Sequence, residues 1–330
     1  VSRNRITPQL YLGRLRSSGT LSGRRVAATA FFFLLTALGY YASARLGLRL
    51  ELVGGQVTPL WPPTGVALVC LLRFGVRMWP AVTIGALVVN LPLGPTPLAA
   101  CLIAAGNTLA PVCAVLLLRH VGYRPEMTRL RDALALVFLG ALAGMAVSAT
   151  VGAAALVTAG GVSPGAFWST WSVWWVGDAM GVLVVAPVLL VLPALRSLGR
   201  VGPWRWVEWT GALTGTVLSL LLAVHTPVAA LFPVFPFLIW AALRFPQVGS
   251  APCALAASVI AVHAAVTQAG PFGDHDLLFN MVVLQIFNAS AALTALLLSA
   301  ITAERDQAHR EVRRACAQLT AVVATLRSQQ

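Results

Sequence analysis

The chain has 330 residues, of which 58% are hydrophobic and 10% charged, with a mean hydropathy of +0.82. A water-soluble chain of this length needs about 25% charged residues to cover its surface, which excludes a soluble globular protein. The net charge of +13 is carried by arginine alone, because the sequence contains no lysine, and its meaning depends on where those arginines fall.

Residues 1–25 form a polar, Arg-rich lead-in with Ser and Gly, expected to be a loosely ordered cytoplasmic segment. It holds no short apolar core with a cleavage site, so the first apolar run reads as a retained helix and not a signal peptide. Apolar runs follow at 26–48, 60–78, 79–95, 97–118, 132–158, 167–194, 207–224, 227–243, 249–268 and 277–301. These are helix-length, whereas a β-barrel would show alternating segments of ~10 residues. The predicted fold is an all-α polytopic membrane protein, a bundle of about 8–10 transmembrane helices over 26–301. With the N-terminus inside, the arginines of 1–25, Arg73, Arg77, Arg244, those of 119–131 and 196–205, and the C-terminal arginines all fall at cytoplasmic ends. Arg45 and Arg49 alone lie outward. Arginines that avoid translocation produce this asymmetry, so both termini are expected inside. The charge is a topology signal with anionic lipid headgroups as its counterpart, and nucleic acid is not an expected partner.

The first span ends at Arg45, Arg49 and Glu51, and Gly54 and Gly55 break it. Thr58 and Pro59 follow, and Pro62–Pro63 restart a helix with Thr64 and Gly65 in its first turn; proline suits that position because its missing N–H would have no partner there. Two readings stay open. Free N–H groups at a helix start beside arginines suit an anion or carboxylate if the loop dips into the bundle. Otherwise this is a rigid external turn with a weak Arg–Glu pair.

Asp178 sits 11 residues beyond Phe167 in "FWSTWSVWWVGDAMGVLVVAPVLL". At helical rise that is roughly 16 Å, midway through a ~30 Å hydrocarbon core. A carboxylate there costs about 2.5–3.5 kcal/mol on insertion scales, so it should face the bundle interior or a wet cavity. Trp171, Trp174, Trp175, Gly181 and Val182 share its helical face, and Gly177 and Gly181 form a small-xxx-small pair that lets a neighbour approach closely. A contact within a Trp-lined cavity and a structural Asp bonded to the next helix both fit. Asn90, Asn107, Asn280, Gln285 and Asn288 are further polar groups within spans. They line a cavity or make interhelical hydrogen bonds worth roughly 0.6 kcal/mol each.

Little else points to chemistry. His225 and His263 are lone histidines, the "GDHD" of 273–276 reads as a solvated loop, and the five scattered cysteines read as small packing residues, so no metal site or disulfide framework is expected. No P-loop, Gly-x-Ser-x-Gly elbow or His-Glu-x-x-His is present. The chain is not expected to be an enzyme or to hold a cofactor.

Beyond Ile301 the charge density rises. Steps of four and three residues pick out Ile301, Arg305, Ala308, Val312, Ala315, Leu319, Val322 and Leu326, a seam that Arg305 alone interrupts. A continuous helix here would run about 45 Å out of the membrane. Residues 302–330 therefore read as a cytoplasmic signalling helix that dimerises as a coiled coil; an amphipathic tail is the alternative.

Several stretches resemble the MASE1 family of bacterial membrane-associated sensor domains: "YYASARLGLRL" with "GGQVTPLWPPTGVAL", "RMWPAVTIGALVVNL", "GNTL" at 106–109, the Asp178 block, and "LQIFNASAALTALLLSAITAERD". The resemblance covers about residues 30–310. It implies a multi-pass input domain of the bacterial inner membrane, N-terminal to a cytoplasmic histidine kinase, cyclic-di-GMP enzyme or phosphatase. Some kinases of this type sense sugar phosphates beside a transporter-like partner. In this family an acidic residue usually follows Asn-Thr-Leu, but here Ala110 and Pro111 follow Leu109. The output domain is absent from this sequence.

The reading is a sensory input module for a small ligand or membrane state; the alternative is a small-solute transporter or its binding subunit. The candidate ligand residues are Asp178, Trp171, Trp174, Trp175, Arg45, Arg49, Glu51, Trp61, Thr64, Asn90 and Asn107.

Overall fold

In a computed structural model of the chain, the described residues are 9–49, 58–195, 202–226, 231–273 and 277–328. They form helices and the turns between them, with no strand among them. Helix α1 spans Gln9–Leu48, α2 Pro62–Phe74, α3 Trp79–Asn90 and α4 Pro97–His120. A long helix follows in two parts, α5 (Leu130–Ala135) and α6 (Gly144–Thr158), joined by a π-helical turn over Leu136–Ala143. The next is built the same way: α7 (Phe167–Met180), a π-helical turn over Gly181–Val185, and α8 (Ala186–Leu195). Then come α9 (Pro203–His225), α10 (Phe235–Arg244), α11 (Pro246–Val266) and α12 (Leu277–Ser328).

Seven helical stretches among the described residues are long and apolar enough to cross a membrane, and Pro62–Phe74, Val76–Asn90 and Phe232–Arg244 are shorter apolar helices. Together they match the ten runs read from the sequence. Within the lead-in, α1 is already helical from Gln9. Prolines open α2, α3, α4, α9, α10 and α11, where no intrahelical N–H is lost. Large apolar side chains such as Phe31, Leu34, Leu116, Leu222 and Ile286 face outward, and exposed Trp79, Trp168, Trp204 and Phe232 sit at or near helix starts. That is the pattern of a lipid-facing belt with aromatic ends.

Helix α2 is too short to cross alone. Its 13 residues rise about 20 Å against a ~30 Å core. The remaining depth is covered by the irregular segment Thr58–Trp61, of which Thr58, Pro59 and Leu60 are buried. Non-helical backbone survives at membrane depth only inside protein, with its polar groups satisfied. That condition holds here. The Trp61 N–H donates to the Gly177 carbonyl at 3.0 Å, the Gln285 amide Nε2 to the Pro59 carbonyl at 2.9 Å, and the Thr58 hydroxyl to the Leu60 carbonyl at 3.0 Å.

At the opposite end of the bundle, the 121–129 turn is tied down by buried Asp132, which accepts from Arg129 Nε (2.7 Å) and Nη2 (2.6 Å) and from the Arg124 N–H (3.2 Å). Helix α12 joins this cluster, because Glu304 Oε2 accepts from the Leu130 N–H at 3.0 Å and so caps α5.

Candidate functional site

Two glycine-bearing blocks, more than 100 residues apart in sequence, are pressed together in the middle of the bundle. A Cβ added at Gly181 would lie 2.0 Å from the Trp61 carbonyl oxygen, one at Gly65 2.3 Å from the Gly181 carbonyl oxygen, and one at Gly177 2.5 Å from the Thr58 carbonyl oxygen. Gly177 and Gly181 are thus points of close backbone approach. What approaches is the Thr58–Trp61 segment and the start of α2. The Thr64 hydroxyl completes the joint, reaching the carbonyls of Trp61 (2.7 Å) and Asp178 (3.2 Å).

Beside this joint lies a cavity of about 40 Å³, lined by Leu48, Thr58, Trp61, Asn90, Leu93, Gly94, Ile103, Asn107, Trp174, Gly177 and Asp178. It sits where α1 and α3 end and α2 and α4 begin. At 10–15 Å³ per water it has room for about three waters. Asp178 is 1% exposed, and among the described residues neither carboxylate oxygen has a hydrogen-bond partner. Ser148, Trp174 and Thr64 face the carboxylate, yet the two hydroxyls are engaged elsewhere. Ser148 donates to Asn107 Oδ1 at 2.7 Å, and Thr64 to the backbone carbonyls already named. The Tyr40 hydroxyl is buried without a hydrogen bond, facing Trp61 and Asn107 in the field of Asp178.

Of the candidate ligand residues, Asp178, Trp174, Trp61, Asn90 and Asn107 line one cavity, and Thr64 lies at its back wall. Trp171 and Trp175 do not join them. They stack on each other at 5.3 Å, and their ring N–H groups turn to α6 and the π-turn before it, Trp171 to Thr150 Oγ1 (3.0 Å) and Trp175 to the Leu142 carbonyl (2.7 Å). Arg45 and Arg49 are exposed and line no part of the cavity. Glu51, Gly54 and Gly55 lie outside the described residues, as does the 274–276 cluster.

The anion reading of the α2 start is corrected by the same geometry. Four N–H groups are normally left over at a helix N-terminus. Here Pro62 and Pro63 have none, the Trp61 N–H is taken by Gly177, and the Thr64 N–H lies 3.4 Å from the Trp61 carbonyl. Among the described residues this helix start therefore offers no free backbone N–H to an anion, and the charged side chain lining the adjoining cavity is a carboxylate.

Sequence reasoning missed Tyr40 and Ser148. The pointer to both was the one used for Asn107, a hydrogen-bonding group in mid-span. Among the other polar groups, Asn280 Nδ2 donates to the Phe272 carbonyl at 2.8 Å, and Asn288 is fully buried with neither side-chain polar atom hydrogen-bonded. No group of three or more His, Cys, Asp or Glu side chains able to hold a metal occurs among the described residues.

Fold and cavity define a class: a polytopic helical membrane domain with a small, largely apolar cavity between its helices that holds one buried carboxylate. The MASE1 family model matches residues 33–306, and the chain belongs to this family of membrane-associated sensor domains. No curated protein and no solved structure matches the chain.

Proposed function

We propose that this membrane sensory domain detects a small ligand in the Asp178 cavity and passes its occupancy to the cytoplasm through α12. The observation that carries this reading is the Gln285–Pro59 hydrogen bond. Pro59 lies between Thr58 and Trp61, both cavity walls, and Gln285 stands on the helix that continues without a break to Ser328. That helix is about 78 Å long at 1.5 Å per residue, so its far end stands well clear of any bilayer. A change in the 58–61 segment pulls directly on α12. The second support is the π-helical turn that follows Asp178, which packs against α11 and α12.

In this reading the C-terminal end of α12 is cytoplasmic, two copies pair along the 308–326 seam, and an enzymatic output, such as a kinase, cyclic-di-GMP enzyme or phosphatase, receives the shift. The membrane is the bacterial inner membrane. Val312 and Leu319 are 63% and 66% exposed, so the seam offers apolar surface to a second helix. The side chains of Val322 and Leu326 lie outside the described residues.

Disulfide trapping in native membranes tests the coupling without knowledge of the ligand. Cysteines are placed at Ala308 and Ala315 in a chain with its native cysteines replaced. Neutralising the cavity with Asp178→Asn is expected to change the trapping rate, and Gln285→Leu to remove that difference. Identical trapping in all three backgrounds would refute the coupling. Solute uptake by the purified chain in liposomes, abolished by Asp178→Asn, would establish the transporter alternative instead.

A further inference from the structure

The cavity's wall specifies the charge of what it takes. Among the described residues Asp178 is the one formally charged side chain lining the cavity, it is buried, and its oxygens lack a hydrogen bond, with the Trp174 indole among the groups facing it. The hydroxyls nearest to it are already committed to Asn107 and to backbone carbonyls. The helix start beside it has no free N–H, and Arg45 and Arg49 stand outside. A buried carboxylate so placed is unfavourable unless it takes up a proton or a donor or positive charge arrives from elsewhere.

Resting on the reading of this cavity as the sensor's ligand site, we propose that it binds a small organic ammonium ion, with Asp178 as counter-ion and the indoles of Trp61 and Trp174 as walls. An alkali ion would need a ring of oxygens to replace its hydration shell. Most of this wall is instead Leu48, Leu93, Ile103, glycine and two indoles. Aromatic faces attract a weakly hydrated cation, and tryptophan is the best of them. An ammonium group brings three N–H donors. Acceptors are present in the Asp178 carboxylate and in the side-chain oxygen of Asn90, whose Nδ2 is turned away to the Ala86 carbonyl at 2.8 Å. A cavity of about 40 Å³ suits an ion of methylammonium size.

The full chain in detergent or nanodiscs is titrated with methylammonium chloride against sodium chloride and potassium chloride at equal ionic strength, with sodium acetate as the anion arm. Unfolding midpoint and tryptophan fluorescence are followed. Ligand bound only by the folded state raises the midpoint with concentration. Methylammonium is expected to raise it beyond sodium or potassium, Asp178→Asn to weaken the apparent affinity by about tenfold or more, and Trp174→Phe by a few-fold. Protection by methylammonium no greater than by sodium, equal protection in Asp178→Asn, or preferential protection by acetate would each overturn the proposal. Failure of the sensor reading looks different. Methylammonium would then bind in an Asp178-dependent way while trapping at 308 and 315 stayed unchanged, which leaves the ligand class standing.

Discussion

Gly181→Ala tests whether the joint between the 58–65 and 177–185 segments holds the fold together. The new Cβ would lie 2.0 Å from the Trp61 carbonyl oxygen, 2.5 Å from Thr64 Oγ1 and 2.8 Å from the Trp61 carbonyl carbon. Two of these are backbone atoms, so no rotamer change relieves the clash, and the α2 start must retreat by about 1 Å or more. That retreat stretches the Trp61–Gly177 and Thr64–Asp178 hydrogen bonds. Overpacking costs about 1–3 kcal/mol, and two weakened hydrogen bonds add about 1–3 kcal/mol. Alanine regains about 1 kcal/mol in helix propensity. The expected net loss is about 3 kcal/mol, with the clash outweighing the propensity gain. The assay is reversible unfolding of the purified chain in mixed micelles of increasing denaturing detergent, followed by circular dichroism. Gly165→Ala is the control, because nothing lies within 4 Å of its new Cβ. Gly181→Ala no less stable than Gly165→Ala would refute the close-approach argument. Gly65→Ala meets the same joint from the other side, so the double variant should lose less than the sum of the singles.

Asp178→Asn removes an unpartnered buried charge, and without ligand its stability should equal or exceed that of the native chain in the same assay; a loss of about 2 kcal/mol would give Asp178 a structural role. Ser148→Ala should cost about 0.6–1 kcal/mol, because it removes the α4–α6 bond to Asn107 Oδ1; no measurable loss would place that bond outside the stability of the bundle. Glu304→Ala should speed hydrogen exchange at the Leu130 amide by an amount equivalent to about 0.5 kcal/mol, a typical cap loss, with little change elsewhere. Cysteines along α12 should cross-link best at Ala308 and Ala315 and poorly at Arg310 and Arg313; a flat profile would refute the heptad seam.

How much of this site was legible in one dimension can be judged from its members. Asp178 announced itself by charge in an apolar run, and Asn90 and Asn107 by polarity in spans. Trp171 and Trp175 were placed on the face of Asp178 by helical spacing, but they stack together and bond toward Thr150 and Leu142. Spacing along one helix names the residues of a broad face; it does not say which edge of that face meets a cavity and which meets a neighbour. The 58–61 segment was read as either a dipping loop or an external turn. Its burial depends on α2 being too short to span, and on glycines more than 100 residues away that admit it.

The sequence by itself determined the solvent of this protein, its helical class, its ten apolar segments, the arginine asymmetry and its family. Those properties follow from composition and order along the chain, because lipid excludes unpaired backbone and translocation excludes arginine wherever the helices later pack. The tertiary structure alone decided that Trp61, Asn107, Trp174 and Asp178 share a chamber, and that the prolines and Gly177 leave the α2 start without a donor for an anion. It also decided that Gln285 ties this chamber to α12. Each of these depends on the rotation and depth at which distant segments meet, which glycine gaps and the Gly181–Val185 π-turn set and which no local spacing encodes.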